Sequence, residues 1–281
     1  MEILKGADVV AAINEELQDE LKKFGKEIPH LAIIRVGERP DDIAYERGAM
    51  KRLNGIGLKC SNYIFPETIT HEEFTSEFKK VNEDKTIDGI LLLRPLPKQI
   101  DEKAIETLID PQKDIDGISP MNLAKVFAGD DTAYAPCTAE AVIEMIDFAG
   151  IDLTGKRVTV VGRSLVVGKP LAMLLLKKNA TVTICHTKTK EMENTCKNAE
   201  VIIAAAGKAK MLNDSYVGKN AIVIDVGINM DENNKLCGDV DFETIKDIAA
   251  MATPVPGGVG TVTTSVLAKH LIKAAKLKKI F

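Results

Sequence analysis

The chain contains no tryptophan, and aromatic residues make up only 4% of its 281 positions. It has no surplus of positive charge either: 37 Lys and Arg stand against 41 Asp and Glu, a formal net charge of -4. A broad basic surface for nucleic acid or for an anionic membrane is therefore not expected. No apolar run approaches the roughly 18 residues of a membrane span, the longest being pieces such as 201–206. The first ten residues, MEILKGADVV, lack a basic region followed by an apolar stretch, so no signal peptide is expected. Cysteine is sparse and odd in number (Cys60, Cys137, Cys185, Cys196, Cys237), with no C-x-x-C pair, which points to reduced thiols in a cytosolic protein. The four histidines (His30, His71, His186, His270) are too scattered for a local metal motif, and no metal is expected. What is present is an ordinary soluble composition, 45% hydrophobic and 28% charged, at a length suited to two domains.

Strand-like and helix-like segments alternate, which predicts an α/β fold with largely parallel sheets. In the first half the strands are 31–36, 58–65 and 89–93, the last stopped by Pro95 and Pro97. Helices are expected at 41–54 and 71–82, the first capped by Asp41 or Asp42 and buried through Ile43, Met50 and Leu53. A turn-rich segment covers 110–117. The second half runs strand 157–161, helix 169–178, strand 181–185, a helix near 190–198, and strands 201–205 and 221–225. That succession is the pattern of a doubly wound, nucleotide-binding sheet. A terminal helix from about 261 places Lys273, Lys276, Lys278 and Lys279 near its C-terminus, where cations suit the dipole. The domains expected are 1–145 and 146–260, with the boundary near 140–152 and helix 261–281 packing back on the first.

The segment Gly162-Arg-Ser-Leu-Val-Val-Gly-Lys-Pro170 follows a strand and opens a helix. Glycines there let the backbone turn tightly, and the helix N-terminus offers free N–H groups to a pyrophosphate. It is not a Walker loop: five residues separate Gly162 from Gly168-Lys169, and Pro170 stands where a hydroxyl is needed. It is not G-x-G-x-x-G either, because Ser164 holds the second glycine position, and an ordinary strand-to-helix turn would read alike. Cys185-His-Thr-Lys188, at the end of the next strand, lacks the acid that would bond a ribose 2′-hydroxyl. Thr187 and Lys188, with Arg163, suit a 2′-phosphate instead, so NADP is favoured over NAD. Asp225-Val-Gly-Ile-Asn229 ends another apolar strand, and 253–260 combines two prolines with three glycines in a stiff backbone able to approach a flat ligand.

Together these segments resemble the methylenetetrahydrofolate dehydrogenase/cyclohydrolase family over essentially the whole chain. The resemblance rests on 89–97 (GILLLRPLP), 113–117 (KDIDG), 136–138 (PCT), 162–170, 225–229 (DVGIN), 238–240 (GDV) and 253–260 (TPVPGGVG). It implies an N-terminal folate-binding domain and a Rossmann-like NADP domain, in an enzyme that oxidises 5,10-methylenetetrahydrofolate with NADP. Tyr45 and Asp116 then match the catalytic, folate-holding pair, and Pro256, Gly257 and Gly258 the loop closing over the folate. Gly162, Arg163, Ser164, Gly168, Thr187 and Ile228 fall at cofactor-binding positions. The resemblance also implies a homodimer, with no nucleic-acid or membrane partner.

The chain departs from that pattern at two places. Bifunctional members carry a lysine four residues after the tyrosine, on the same helical face, and a supporting glutamine before Pro-Leu-Pro. Here those positions hold Ala49 and Leu93. Hydride transfer asks mainly for positioning, whereas hydrolysis of the methenyl bridge needs a proton managed, a service worth about 10²–10⁴ in rate. A dehydrogenase with weak or absent cyclohydrolase activity is therefore expected. Two alternatives stay open: a bifunctional enzyme using a relocated basic residue (Arg52, Lys51 or Arg94), and a catalytically inactive folate- or nucleotide-binding regulator. Thr261 and Val262 also differ from the Pro-Met of many members.

Overall fold

The computed structural model describes residues 1–25 and 27–280, apart from the side chains of 279 and 280. Lys279, grouped above with the terminal-helix cations, thus lies outside the described side chains. The chain opens with β1 (Glu2–Ile3) and α1 (Gly6–Lys22), followed by β2 (His30–Val36), α2 (Pro40–Gly55), β3 (Lys59–Phe65), α3 (His71–Glu83) and β4 (Gly89–Leu92). β2, β3 and β4 make a three-stranded parallel sheet with β2 in the centre, Ile34 lying opposite both Tyr63 and Leu92. Alternate side chains of a strand point to opposite faces. Ala32, Ile34, Val36, Ile90 and Leu92 accordingly share one core with Phe74 and Phe78 of α3. α3 starts on a reciprocal cap, in which the Thr70 hydroxyl accepts from the Glu73 N–H and the Glu73 carboxylate accepts from the Thr70 N–H.

α2 differs from expectation in two respects. It begins at Pro40, behind Arg39, and no side chain caps it, so Asp41 and Asp42 lie inside the first turn, where acids suit the dipole. Its buried stripe is Asp42, Glu46, Ala49 and Leu53, while Ile43 and Met50 are only half-buried. The cause is Arg35 of β2, which pairs with Glu46 and makes an acid tolerable on the inner face.

The next helices are α4 (Glu102–Leu108), α5 (Pro120–Ala128) and α6 (Cys137–Phe148), the last burying Ala139, Val142 and Ile146 along one stripe. The ends of α4 and α5 are local chemistry. α5, for example, starts at Ser119, whose hydroxyl accepts the Asn122 N–H, carries Pro120 at its first position and stops at left-handed Gly129. The boundary expected near 140–152 falls largely on α6.

Then come β5 (Arg157–Val161), α7 (Gly168–Lys177), β6 (Thr181–Cys185), α8 (Met192–Lys197), β7 (Val201–Ala204) and β8 (Ile222–Asp225). A small hairpin of β9 (Asn229–Met230) and β10 (Leu236–Cys237), α9 (Phe242–Ile245), β11 (Met251–Ala252), a 3₁₀ turn Val259–Thr261 and α10 (Thr263–Ile280) complete the chain. The terminal helix starts at Thr263, not 261, because Val259–Thr261 closes in the tighter turn. Six strands form one parallel sheet in the order β1-β11-β8-β7-β5-β6. The chain runs outward from β5 to β6 and returns to β7 on the other side, so a topological switch point lies at β5.

By internal contacts the chain divides into two compact units. One comprises Met1–Ala11 and Thr138–Thr263, the other Ala12–Cys137 and Thr264–Phe281. The first eleven residues group with the six-stranded sheet because β1 pairs with β11, Glu2 opposite Met251 and Ile3 opposite Ala252. In the other unit the α10 lysines tie the helix down: Lys273 donates to the Ala133 carbonyl at 2.7 Å, and Lys278 bonds Asp88 at 2.7 Å. Among the described residues no helix is long and apolar enough to cross a membrane.

Candidate active site

In the six-stranded unit the loop after β5 leaves the sheet beside the loop after β6, since Val161 and Cys185 are register partners and the Gly162 N–H donates to the Cys185 carbonyl at 2.9 Å. Gly162 has φ 138, and a Cβ there would run into the Ala205 carbonyl, so only glycine fits this turn. Arg163 and Ser164 stand exposed on the loop, and the Ser164 hydroxyl accepts from the Val167 N–H at 3.1 Å. Gly168 opens α7, with Pro170 in its first turn. On the neighbouring loop Thr189 bonds the His186 N–H at 2.8 Å and leaves Thr187 and Lys188 exposed. Ile228, 66% exposed, lines a pocket of about 240 Å³ together with Pro256, Gly257 and Gly258. Every cofactor-site residue singled out by sequence, and the Pro256–Gly258 stretch, thus lies on this one unit.

Two buried aspartates hold these loops, and the sequence reading assigned neither a role. Asp239 accepts from the backbone N–H groups of Ala206, Gly207 and Lys208 and from the Asn229 side chain, at 2.5–2.9 Å. Asp225 accepts from the N–H groups of Gly227, Asp239 and Val240 at 2.9–3.0 Å. The Asp225 N–H in turn donates to the Thr253 hydroxyl at 2.7 Å. A Cβ on Gly238 would strike the Asp225 carboxylate, which is why Gly precedes Asp239. The available signal was an acid closing an otherwise apolar strand, Ile-Val-Ile-Asp225. Burial pushes the Asp225 carboxyl up to about 6, with neighbouring Asp239 adding to the rise, against the downward pull of its three N–H donors.

In the other unit Tyr45 sits on α2, 36% exposed, one turn before fully buried Ala49. Asp116 is half-buried in the loop before α5. Burial raises its carboxyl above the usual range, a hydrogen bond from the Cys137 thiol opposes this, nearby Asp114 adds to it, and Arg94 and His270 pull it down. The loop is shaped by Asp114, which is fully buried and accepts from the N–H groups of Ile118 and Ser119 and from the Asn122 side chain. Of the two acids in Lys113-Asp-Ile-Asp-Gly117, the first therefore fixes the turn. His270 of α10 lies beneath, with Nδ1 2.7 Å from the Ile115 carbonyl and 3.8 Å from the Cys137 sulfur.

The three basic residues considered as stand-ins are placed differently. Lys51 is exposed and Arg52 half-buried on α2. Arg94 is committed to carboxylates of α4, 2.5 Å from Glu106 and 3.6 Å from Glu102. Glu102 also accepts the Leu96 N–H at 2.8 Å, which pins the Pro-Leu-Pro turn. Leu93, buried at 7% exposure, presents no polar group where the glutamine of the resemblance would stand.

Two family models match the chain. The catalytic domain of tetrahydrofolate dehydrogenase/cyclohydrolase covers residues 4–116, and the NAD(P)-binding domain of the same enzyme covers 136–279. The chain is 52% identical over 279 residues to the bifunctional protein FolD of Clostridioides difficile, spanning 99% of this chain and 97% of that protein. Among solved structures it is similar to the bifunctional FolD of Campylobacter jejuni, with a TM-score of 0.96, 37% identity and 99% of each chain covered. It is also similar to the Trypanosoma brucei FolD complexed with NADP and an inhibitor, with a TM-score of 0.91, 32% identity and 99% and 98% of the two chains covered.

Proposed function

The chain belongs to the tetrahydrofolate dehydrogenase/cyclohydrolase family, and from that premise we propose that it is a cytoplasmic 5,10-methylenetetrahydrofolate dehydrogenase whose cyclohydrolase activity is weak or absent. The observation that carries the second clause is the pair Ala49 and Leu93, both buried and both without a titratable or hydrogen-bonding side-chain group.

NADP is the cofactor, and the residues present fit it: a glycine loop at a topological switch point, a turn at Gly162 closed to any side chain, and exposed Arg163, Ser164, Thr187 and Lys188 beside it. When bound, it supplies the hydride acceptor. Gly162 and Gly168 let backbone approach the pyrophosphate, while Arg163, Thr187 and Lys188 offer charge and hydrogen bonds to the 2′-phosphate. Ile228 and Pro256–Gly258 supply an apolar pocket for a flat ring. Tyr45 stacks on the folate and Asp116 bonds its pterin end. Loss of hydride from the methylene carbon leaves the methenyl cation and asks the protein for orientation rather than for a proton transfer. Hydrolysis of that cation adds water and needs a group to take its proton, which Ala49 and Leu93 cannot do.

A homodimer suits β6, an edge strand with Thr181, Thr183 and Ile184 exposed, since an unpaired strand edge invites pairing with a second copy. The deciding experiment is a time course with 5,10-methylenetetrahydrofolate and NADP⁺, following NADPH and the methenyl compound separately against uncatalysed methenyl decay. NADPH with accumulating methenyl product is the expected result. Methenyl removal faster than the blank would establish a bifunctional enzyme, and ligand binding without NADPH an inactive regulator.

A further inference from the structure

The first two turns of α2 have little apolar surface to hold them. Between Pro40 and Glu46 the aliphatic side chains are Ile43, half-buried, and Ala44, exposed. Asp42 and Glu46 nevertheless face inward, at 8% and 7% exposure. Glu46 is held by polar groups from two strands. Its Oε2 accepts from Arg35 Nε at 2.7 Å, and its Oε1 accepts from Asn62 Nδ2 of β3 at 2.7 Å. Arg35 Nη1 also donates to the Gly37 carbonyl, in the link between β2 and α2. One guanidinium therefore ties strand, link and helix together. Arg39, 3.8 Å from Asp42 and 45% exposed along its side chain, adds a looser tie.

The register shows what else lies in this layer. Ile34 and Leu92 are paired, and the Leu93 N–H donates to the Ile34 carbonyl at 2.9 Å. Arg35 and Leu93 each follow one of those partners, so they fall on the same face of the sheet, opposite the face that joins the Phe74 and Phe78 core. Ala49 and Leu53 continue the buried stripe of α2.

We propose that Arg35, acting through Glu46, is a positioning residue for Tyr45. This rests on the reading of Tyr45 as the residue that stacks on the folate. Consecutive helical residues diverge by about 100°, so fixing Glu46 inward fixes the direction in which Tyr45 points. Apolar packing does this for most amphipathic helices. In α2 the ion pair does it, within the layer that holds Ala49 and Leu93.

The test is the double variant Arg35→Leu with Glu46→Val, which removes both charges at once; a buried pair tolerates that far better than the loss of one partner. In the folded double variant KM for 5,10-methylenetetrahydrofolate is expected to rise about tenfold while KM for NADP⁺ stays within about twofold. Amide hydrogen exchange is expected to quicken over 40–48 and not over Arg157–Val161. Arg35→Lys alone, which keeps the charge but not the fork that reaches both Glu46 and the Gly37 carbonyl, should leave the folate KM between those of the unaltered enzyme and the double variant. An unchanged folate KM, or an equal rise in both KM values, overturns the proposal. If that double variant does not fold, Arg35→Met with Glu46→Gln, which also removes both charges and keeps an acceptor for Asn62, gives the same reading, and a folate KM equal to that of the unaltered enzyme overturns it. If the unaltered protein forms no NADPH, the functional reading fails by itself. Exchange over 40–48 then decides the role of the pair, and unchanged exchange sinks it.

Discussion

The two units build their candidate sites from different materials. In the six-stranded unit the proposed site rests mostly on backbone, a glycine turn and loops whose N–H groups are gathered by Asp225 and Asp239. In the other unit the proposed site is side chain: Tyr45 carried on its helix and Asp116 on the turn that Asp114 holds. A backbone-built site has few positions at which one exchange removes one function and spares the rest, because each loop is shared. A side-chain site can lose a single chemical group and keep its shape. Under the proposed function, that difference lets Ala49 and Leu93 take away the means for hydrolysis and leave the positioning needed for hydride transfer.

Three experiments break or sharpen this contrast. The largest effect is expected from Asp239→Ala, which strands three backbone N–H donors and the Asn229 amide. Urea denaturation should show a loss of roughly 3 kcal/mol or more, and NADP affinity should fall with it. Asp116→Asn, the matching change in the other unit, should leave stability within about 1 kcal/mol while folate turnover drops. Equal stability losses would erase the contrast.

Next in size is Ala49→Lys with Leu93→Gln, which should raise methenyl hydrolysis by about 100-fold with the dehydrogenase rate little changed. A coupled assay that finds hydrolysis flat in a folded double variant removes these two positions as the explanation.

The smallest effect concerns pH. The Asp225 carboxyl stands at about 6 in the folded chain against an ordinary 3.8. The folded state therefore keeps this proton where the unfolded chain has lost it. Its contribution to stability is full below about pH 4 and is lost as pH rises through 6. Depressed surface carboxylates such as Asp84 and Glu200 titrate in the opposite sense, so the net slope should be shallow. A ¹³C carboxyl titration of Asp225 should have its midpoint near 6. A midpoint below 4 would mean that its three N–H donors outweigh burial.

Much of the six-stranded unit was legible in order along the chain. The β5–loop–α7 passage depends on a local pattern, an apolar run closed by glycine, and its bounds and those of β6 agree with the expected ones to within a residue or so. The short and capped helices were less legible. α4 and α5 start on single residues, Asp101 and Ser119, rather than on a long apolar stripe. On α2 the apolar stripe itself misled, because Ile43 and Met50 look like core and the buried positions include Asp42 and Glu46.

The sequence by itself determined the alternation of strands and helices, the glycine turn after β5, and the absence of a lysine and a glutamine at 49 and 93, all of which are properties of neighbouring residues or of single positions. Only the tertiary structure decided that β1 joins β11, some 250 residues away, that Asp225 and Asp239 are loop anchors, and that Glu46 faces inward toward Arg35. The physical reason is the same in each case. A strand edge, a buried carboxylate or a buried guanidinium is stable only when a partner arrives to satisfy it, and the chain brings that partner from a distant segment.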